Sequence, residues 1–428
     1  MHDLDTGSWG ARNAHDPTIV RGDDGLWYMF STDAAAGVDS IPAGAHVRTS
    51  SDLVEWTFRG TALPGVPAPA AEWSGAVGLW APEVVRWPDA AGAPHGGGAE
   101  PRWHMYYSAS TFGSRTSAIG LATASDPAGP WTDRGIVIAT RHDRDEVNAI
   151  DAAVVFDRAG SPWMIYGSFF GGIHAVELSL ATGKRLREEQ GTLIARRPRS
   201  VDGAIEGAYV VEHDGRYFLF VSYDSLADSY SVRVGVSDAI TGPYVDQRGR
   251  EMTSPSEEEA QATGTKVLGG LRFPGGVGLI APGHNSIFRV GGDVFMVHHV
   301  RLADAPAQHE AQVRRVHWTA SGWPVVSPHP YAGADTERLP VAEPIAGEWD
   351  AVRFAPEVSA LVDARRVEIT ADGMSDGSPA VRVLVVGGAI LDAVVFGAWD
   401  PVAGRSVLAF SGIDADGVVW SGSKTVTA

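Results

Sequence analysis

Three carboxylates and one histidine head four short stretches of this chain at near-constant spacing. Asp16 opens DPTIVRGDDGLWYMFST, Asp151 opens DAAVVFDRAGSPWMIYGS, Glu206 opens EGAYVVEHDGRYFLFVS and His284 opens HNSIFRVGGDVFMVHHV. From the opening residue to the first aromatic of the run that follows is eleven residues for Asp16, Glu206 and His284, and twelve for Asp151. Two carboxylates on opposite sides of a glycosidic bond are sufficient to hydrolyse it, one protonating the leaving oxygen and the other activating water or attacking the sugar. A third nearby keeps the acid protonated by like-charge repulsion. Taken singly, an Asp at the start of a strand is more often a turn former. Three acids in one repeated position favour chemistry.

The elements that position them read as strands. A fifth copy, APEVVR at 81–86, aligns with DPTIVR but places Ala81 at the special position, and its second strand, RWHMYYSAS from Arg102, follows a Pro, Gly and Ala-rich insertion over roughly 88–101. Each copy continues into an alternating apolar run and an Asp/Gly/Pro turn cluster, as in AHVRTSSDLVEW and YSVRVGVSDAITGPY, which predicts a third strand and a turn to a fourth. Five units of about four strands, with periods of about 55 to 75 residues, predict a radial repeat. The expected fold is therefore all-β, a five-bladed β-propeller over residues 1–338 whose innermost strands open on a central channel. LPVAEP at 339–344 has linker composition, and the short alternating runs of residues 345–428 predict a small C-terminal β-barrel or β-sandwich domain.

Composition excludes some functions. A net charge of −18 without clustered Lys and Arg argues against nucleic acid as a partner. Fourteen Trp residues give many flat apolar faces on which a sugar ring can lie, which suits a neutral polysaccharide. Cysteine is absent, so disulfides and thiolate metal sites are excluded. The first fifteen residues lack the basic end and apolar stretch of a signal peptide, and no segment reaches membrane-spanning length. The expectation is a soluble monomer without a membrane partner, cytoplasmic as the sequence stands, or secreted if a signal has been removed.

Around the repeated position, the expected substrate contacts are Gly78, Trp80, Asn148, Ala149, Ile150, Ser168, Phe169 and Phe170. His284, at the fourth equivalent mouth, is as a lone His more often a hydrogen-bonded structural residue than a ligand, but its place on the channel suits an ion or water site; channel oxygens would favour Ca²⁺, with water supplying most of the coordination because one imidazole holds Ca²⁺ weakly. The adjacent His298 and His299 point to opposite faces of one strand and cannot both join one site.

At these residues the chain resembles glycoside hydrolase family 43 and, within it, the endo-1,5-α-L-arabinanases. The motifs that carry the resemblance are AHDPTIV, LWAPEV, YYSASTFGSRTSAIGLAT, NAIDAAVV, GSFFGGI, IEGAY, RVGVSDAITGPYVD and GHNSIF, spread from residue 14 to about 290. The resemblance implies a five-bladed propeller that hydrolyses α-1,5-linked L-arabinan or arabino-oligosaccharides with inversion. It implies Asp16 as general base, Glu206 as general acid, Asp151 as the residue tuning the acid, and His284 as the protein ligand of a hydrated Ca²⁺. Where the family usually reads IEAPY this chain reads IEGAY, and loss of the Pro is expected to loosen the backbone beside the proton donor. An exo-acting α-L-arabinofuranosidase or β-xylosidase on the same scaffold is the rival enzyme, with the insertions at 64–78 and 88–101 as possible walls. A non-catalytic carbohydrate-binding propeller is the rival from another class.

Overall fold

A computed structural model describes residues 6–36, 41–88 and 102–424, so most of the second insertion lies outside the described residues. The described chain is built almost entirely of antiparallel strands. Four sheets of four strands follow one another: His15–Arg21, Trp27–Thr32, His46–Ser50 and Thr57–Thr61; Trp80–Arg86, Trp103–Ala109, Ser117–Ala124 and Thr132–Thr140; Ala153–Phe156, Pro162–Tyr166, Ile173–Glu177 and Thr192–Ala195; Ile205–His213, Arg216–Tyr223, Ser231–Ser237 and Thr265–Leu268. A fifth sheet contains Leu271–Arg272, Leu279–Val290, Asp293–Leu302, Ala305–Trp318 and Pro324–Val326, and takes Val362–Asp363 as a sixth, parallel strand. Gly347–Phe354, Arg365–Thr370, Ala380–Val386, Ala389–Asp400, Arg405–Asp414 and Val419–Lys424 close into a barrel. The barrel thus resolves the alternative between barrel and sandwich for the tail.

The hydrophobic effect explains why the sheets stack. Strands such as WYMFST and WHMYYSA are buried along their whole length, so each sheet covers a neighbour on both faces. Apolar clusters lie between consecutive sheets: Phe30 and Leu63 with Met105 and Trp131, Ile119 and Val137 with Val154 and Met164, Ile165 and Ile194 with Leu219 and Tyr244. Another joins the fifth sheet back to the first through Phe295, Val313, Trp27 and Met29. Barrel residues Val352, Phe354 and Val419 extend the cluster between the fourth and fifth sheets.

Turn chemistry fixes register. In the first hairpin the Asp24 carboxylate accepts the Leu26 N–H at 3.0 Å and the Tyr28 hydroxyl at 2.8 Å, and Gly25 adopts a left-handed φ of 84°. The insertion at 64–78 forms a short helix, Ala68–Ser74, which folds back on the second sheet. Trp73 Nε1 donates to Thr140 O at 3.0 Å, and the Arg141 guanidinium lies 3.7 Å above its ring.

The segment leading to Asp16 is held by one cation. Arg48, fully buried, donates to Gly10 O, Arg12 O and Asn13 O at 2.9–3.0 Å and to Ser31 Oγ at 3.1 Å. Arg48→Met keeps the stem but takes the donor from three carbonyls, one buried and two partly buried, at a cost of about 3 kcal/mol. Urea unfolding should show a loss of that order; a midpoint equal to that of the wild type would refute this role for Arg48.

Candidate active site

The residues that open the sheets share a backbone conformation that L-residues avoid. φ is 52° at Asp16, 41° at Ala81, 60° at Asp151 and 49° at His284. Each of these residues donates its N–H to the neighbouring sheet, near the end of the strand that in the fifth sheet is Asp293–Leu302 and in the others is the second. Ala81 donates to Thr32 Oγ1 at 2.8 Å, Asp151 to Ser108 Oγ at 3.0 Å, His284 to Ser222 Oγ at 2.7 Å, and Asp16 to His299 Nδ1 of the fifth sheet at 3.3 Å. Strand pairing is irregular at the same place in the first, second, fourth and fifth sheets, so the opening residue sits in a bulge.

The fourth sheet corrects one expectation. Its left-handed residue is Gly207, with φ 57°, and Glu206 pairs with Ser222 as His15 pairs with Thr32. Two carboxylates therefore occupy the repeated position, and the third lies one residue earlier. The spacing misled because the hairpins differ in length: sixteen residues separate Asp16 from Thr32, but fifteen separate Gly207 from Ser222 and His284 from His299. The motif's departure from IEAPY also acquires a different meaning. A Cβ on Gly207 would approach the Cα and ring of His284 to 3.0 Å, so the glycine permits close contact of two sheets.

Asp16, Asp151, Glu206 and His284 line one cleft of about 830 Å³, within the size range of ligand sites. Asp16 is held from every side. Its Oδ1 lies 2.8 Å from His15 Nδ1 and 3.0 Å from His284 Nδ1, and its Oδ2 accepts the Thr32 hydroxyl at 2.6 Å. Burial pushes its carboxyl up, but the His15 and His284 imidazoles outweigh burial and hold it well below the usual 3.8. His284 answers in kind: burial pushes it down, while Asp16 and Asp151 carry it up to about 9.

Asp151 is the opposite case. Burial raises its carboxyl to about 7; His284 opposes this, and the Glu206 and Asp16 carboxylates add to it. Its Oδ2 accepts the Gly207 N–H at 3.3 Å. Glu206 accepts two hydroxyls, Ser168 Oγ on Oε2 at 2.7 Å and Tyr230 OH on Oε1 at 2.9 Å.

Of the expected substrate contacts, Trp80, Asn148, Ile150, Ser168, Phe169 and Phe170 line the cleft, whereas Gly78 and Ala149 do not. A Cβ on Gly78 would stand 2.5 Å from Asp33 Oδ1, so its bareness admits a carboxylate that accepts the Leu79 and Gly44 N–H groups. Ala149 is fully buried, its N–H on Thr140 Oγ1. Ser168 lines the cleft and also binds Glu206, a role its sequence position did not reveal. The helical insertion at 64–78 contributes no lining residue. Sequence reasoning missed His15, Thr32, His299 and Tyr230. Alignment of second-strand ends, where Thr32, Ser108, Ser222 and His299 fall together, would have found two of them.

His15, Asp16 and His299 are also close enough to suggest a metal centre among the described residues. The hydrogen bonding argues otherwise. His299 Nδ1 already accepts the Asp16 N–H, so its 3.4 Å approach to Oδ1 is no ion pair, and its ring stacks on His15 at 3.7 Å instead of splaying toward a shared ion.

The family model of glycosyl hydrolases family 43 matches residues 10–324. The chain is 27% identical to extracellular endo-α-(1→5)-L-arabinanase 2 of Bacillus subtilis, over 96% of this chain and 93% of that one. It is 31% identical to an extracellular exo-α-(1→5)-L-arabinofuranosidase of Cellvibrio japonicus, over 73% of this chain and 86% of that one. The solved endo-1,5-α-L-arabinanase of Thermotoga petrophila superposes with a TM-score of 0.80 at 26% identity, covering 98% of this chain and 100% of that one. No helix among the described residues is long and apolar enough to cross a membrane.

The raised Asp151 gives a pH prediction. An unfolded Asp ionises near 3.8, but the folded one keeps its proton until about 7, so its contribution to stability is full below 3.8 and is lost as pH rises toward 7. Asp151→Asn removes that slope. Thermal melting across this range should show wild type losing ground to the variant as pH rises; parallel curves would contradict the assignment.

Proposed function

This chain belongs to glycosyl hydrolase family 43, and on that premise we propose that it cleaves α-1,5-linked L-arabinan within the chain, with inversion at the anomeric carbon. One observation carries the reading: three carboxylates meet in one cleft, with Asp16 clamped in its charged form and Asp151 holding a proton toward neutrality. In this reading the five consecutive sheets are the blades of a propeller over residues 1–338, and the closed barrel is the core of a C-terminal domain at 345–428.

The residues divide the work as follows. Asp16 is the base. His15, His284 and Thr32 fix its oxygens, and it takes a proton from the water that attacks the anomeric carbon on the face opposite the leaving group. Glu206 is the acid and gives its proton to the glycosidic oxygen as the bond breaks, with Ser168 and Tyr230 holding the carboxyl in position. Asp151, which exchanges its own proton near neutrality, tunes the donor through its charge. Trp80 and Phe170 offer faces for sugar rings on the cleft wall. Endo action is favoured over the exo rival by the likeness to endo-arabinanases over nearly the whole chain, and the one expected wall among the described residues, the insertion at 64–78, packs on the second sheet instead of lining the cleft.

Glu206→Gln and Asp16→Asn should each lower kcat on linear arabinan by about 100- to 10,000-fold while substrate still binds. NMR of fresh products should show the inverted anomer, and chromatography a ladder of oligomers. Retained configuration would reject the mechanism, and monomer alone from the first minutes would favour the exo rival.

We also propose that His284 holds a Ca²⁺ ion. The ring's Nδ1 is committed to Asp16, which leaves only its other nitrogen, and the three-residue ligand cluster in the cleft does not include His284. The surrounding carboxylates keep a proton on that nitrogen, so an ion there would have to displace it, and water would supply most of the coordination. When bound, the ion would supply a fixed positive charge among carboxylates that otherwise raise His284 to about 9. Treatment with a chelator should lower the melting temperature and Ca²⁺ should restore it. An equal Ca²⁺-dependent shift in His284→Ala would refute the assignment.

A further inference from the structure

The barrel sends one loop to the cleft. Between Gly347–Phe354 and Arg365–Thr370 the chain leaves the barrel and is fastened to the fourth and fifth sheets. Arg233 Nη2 donates to Pro356 O at 2.7 Å and Lys266 Nζ to Val358 O at 2.6 Å. The Val362–Asp363 strand pairs in parallel with Leu271–Arg272, and Leu361 packs so tightly that a Cβ on Gly278 would lie 2.7 Å from its Cδ2. These anchors bring Ser359 to the cleft wall.

There Ser359 meets a polar group that the reaction does not use. Its hydroxyl donates to Asp224 Oδ2 at 3.4 Å. Asp224 Oδ1 accepts Arg197 Nη1 at 2.7 Å, and Arg197 Nη2 donates to Gln261 Oε1 at 3.0 Å. The Arg197 side chain is wholly buried, and its guanidinium lies 4.2 Å above the Tyr223 ring. One inaccessible cation thus fixes two accessible side chains. Asp224, Gln261 and Ser359 all line the same cleft as the carboxylates, and among the described residues no hydrogen bond joins them to Asp16, Asp151 or Glu206.

We propose that Asp224, Gln261 and Ser359 form a distal subsite for one sugar residue of the bound chain, completed by the barrel loop, so that the barrel sets the enzyme's preference for long substrates. The ligand class follows from the chemistry. A carboxylate oxygen, an amide NH₂ group whose oxygen is already taken by Arg197, and a hydroxyl suit the vicinal hydroxyls of a neutral sugar. Arg197 already neutralises Asp224, so the group carries no net charge to draw an ion of either sign. The subsite also lies on the same connection as the acid's support, since the loop from Asp224 leads to Tyr230, whose N–H is fixed on Ser225 O and whose hydroxyl holds Glu206. The family model ends at residue 324, so the loop is a feature of the tail.

The proposal rests on the arabinan reading, and the test separates the two. Ser359→Trp fills the subsite and Gln261→Ala removes its donor; each is compared with wild type on an arabinan oligomer of six units and on one of three. The long-to-short ratio of kcat/KM should fall about fivefold in Gln261→Ala, as for one lost hydrogen bond, with the loss in KM of the long substrate, and further in Ser359→Trp. A merely structural role would lower both substrates together and leave the ratio unchanged. An unchanged ratio in both variants overturns the subsite. A wild type that cleaves xylan in place of arabinan overturns the substrate reading alone, and the same ratio is then read on xylo-oligomers.

Discussion

One hydrogen bond, made four times, holds the rest of the molecule in place: the N–H of a left-handed residue at the head of one sheet, donated to a side chain near the end of the corresponding strand of the neighbouring sheet. A left-handed φ costs a non-glycine residue about 1–3 kcal/mol and persists only where the surroundings determine it. Thr32, Ser108, Ser222 and His299 provide that determination for Ala81, Asp151, His284 and Asp16. The bond fixes both the seam between sheets and the point at which each chain enters the cleft. Site and scaffold are therefore not separable here. Thr32 makes this concrete, since the same hydroxyl accepts the Ala81 N–H and donates to Asp16 Oδ2.

The one departure from the pattern lies between the third and fourth sheets. There the left-handed residue is a glycine whose N–H goes to Asp151 Oδ2, and the hydroxyl that the third sheet offers, on Ser168, goes to the Glu206 carboxyl. A hydrogen bond that elsewhere supports backbone here supports a side chain. Moving the acid one residue back frees it from the bulge and gives it Tyr230 as a second partner. The glycine beside it leaves His284 room, since a Cβ there would meet the His284 Cα and ring at 3.0 Å.

The sequence showed a good deal of this, for physical reasons that can be named. Asp16 and Asp151 were legible because a repeated bulge demands a repeated spacing. Glu206 was legible as an acid but misplaced by one residue, since the aromatic used as a landmark does not keep step with the hairpin turn. The partners of Asp16 were not legible. His299 comes from the far end of the described sheets, and His15 reads as an ordinary strand residue until the fold brings the rings into a stack of 3.7 Å. Gly78 and Ala149 were drawn in by their neighbours in LWAPEV and NAID, but short-range proximity in the chain does not decide which way a strand's side chains face. The barrel loop at Ser359 carries no motif, and only the packing of Leu361 against Gly278 and Gly270 reveals that it reaches the cleft.

Asp16 and Asp151 are chemically identical and occupy the same position of the repeat, yet their carboxyls move in opposite directions. Position alone cannot explain this, because desolvation raises both. The difference comes from what the adjacent sheets contribute. Asp16 stands where the fifth sheet returns to the first and faces His15 and His284 within 3.0 Å, together with a hydroxyl donor. Asp151 faces the fourth sheet, which offers it one backbone N–H and a second carboxylate. The repeat thus supplies equivalent places for charges, while the unequal neighbours hold one carboxyl charged and push the other toward its protonated form. In the proposed inverting mechanism Asp16 is the charged base and Glu206 the proton donor, so what Asp151 adds is a carboxyl beside Glu206 that titrates far from Asp16. Similar sheets thus acquire unlike carboxyls by varying only the residues beside the clasp.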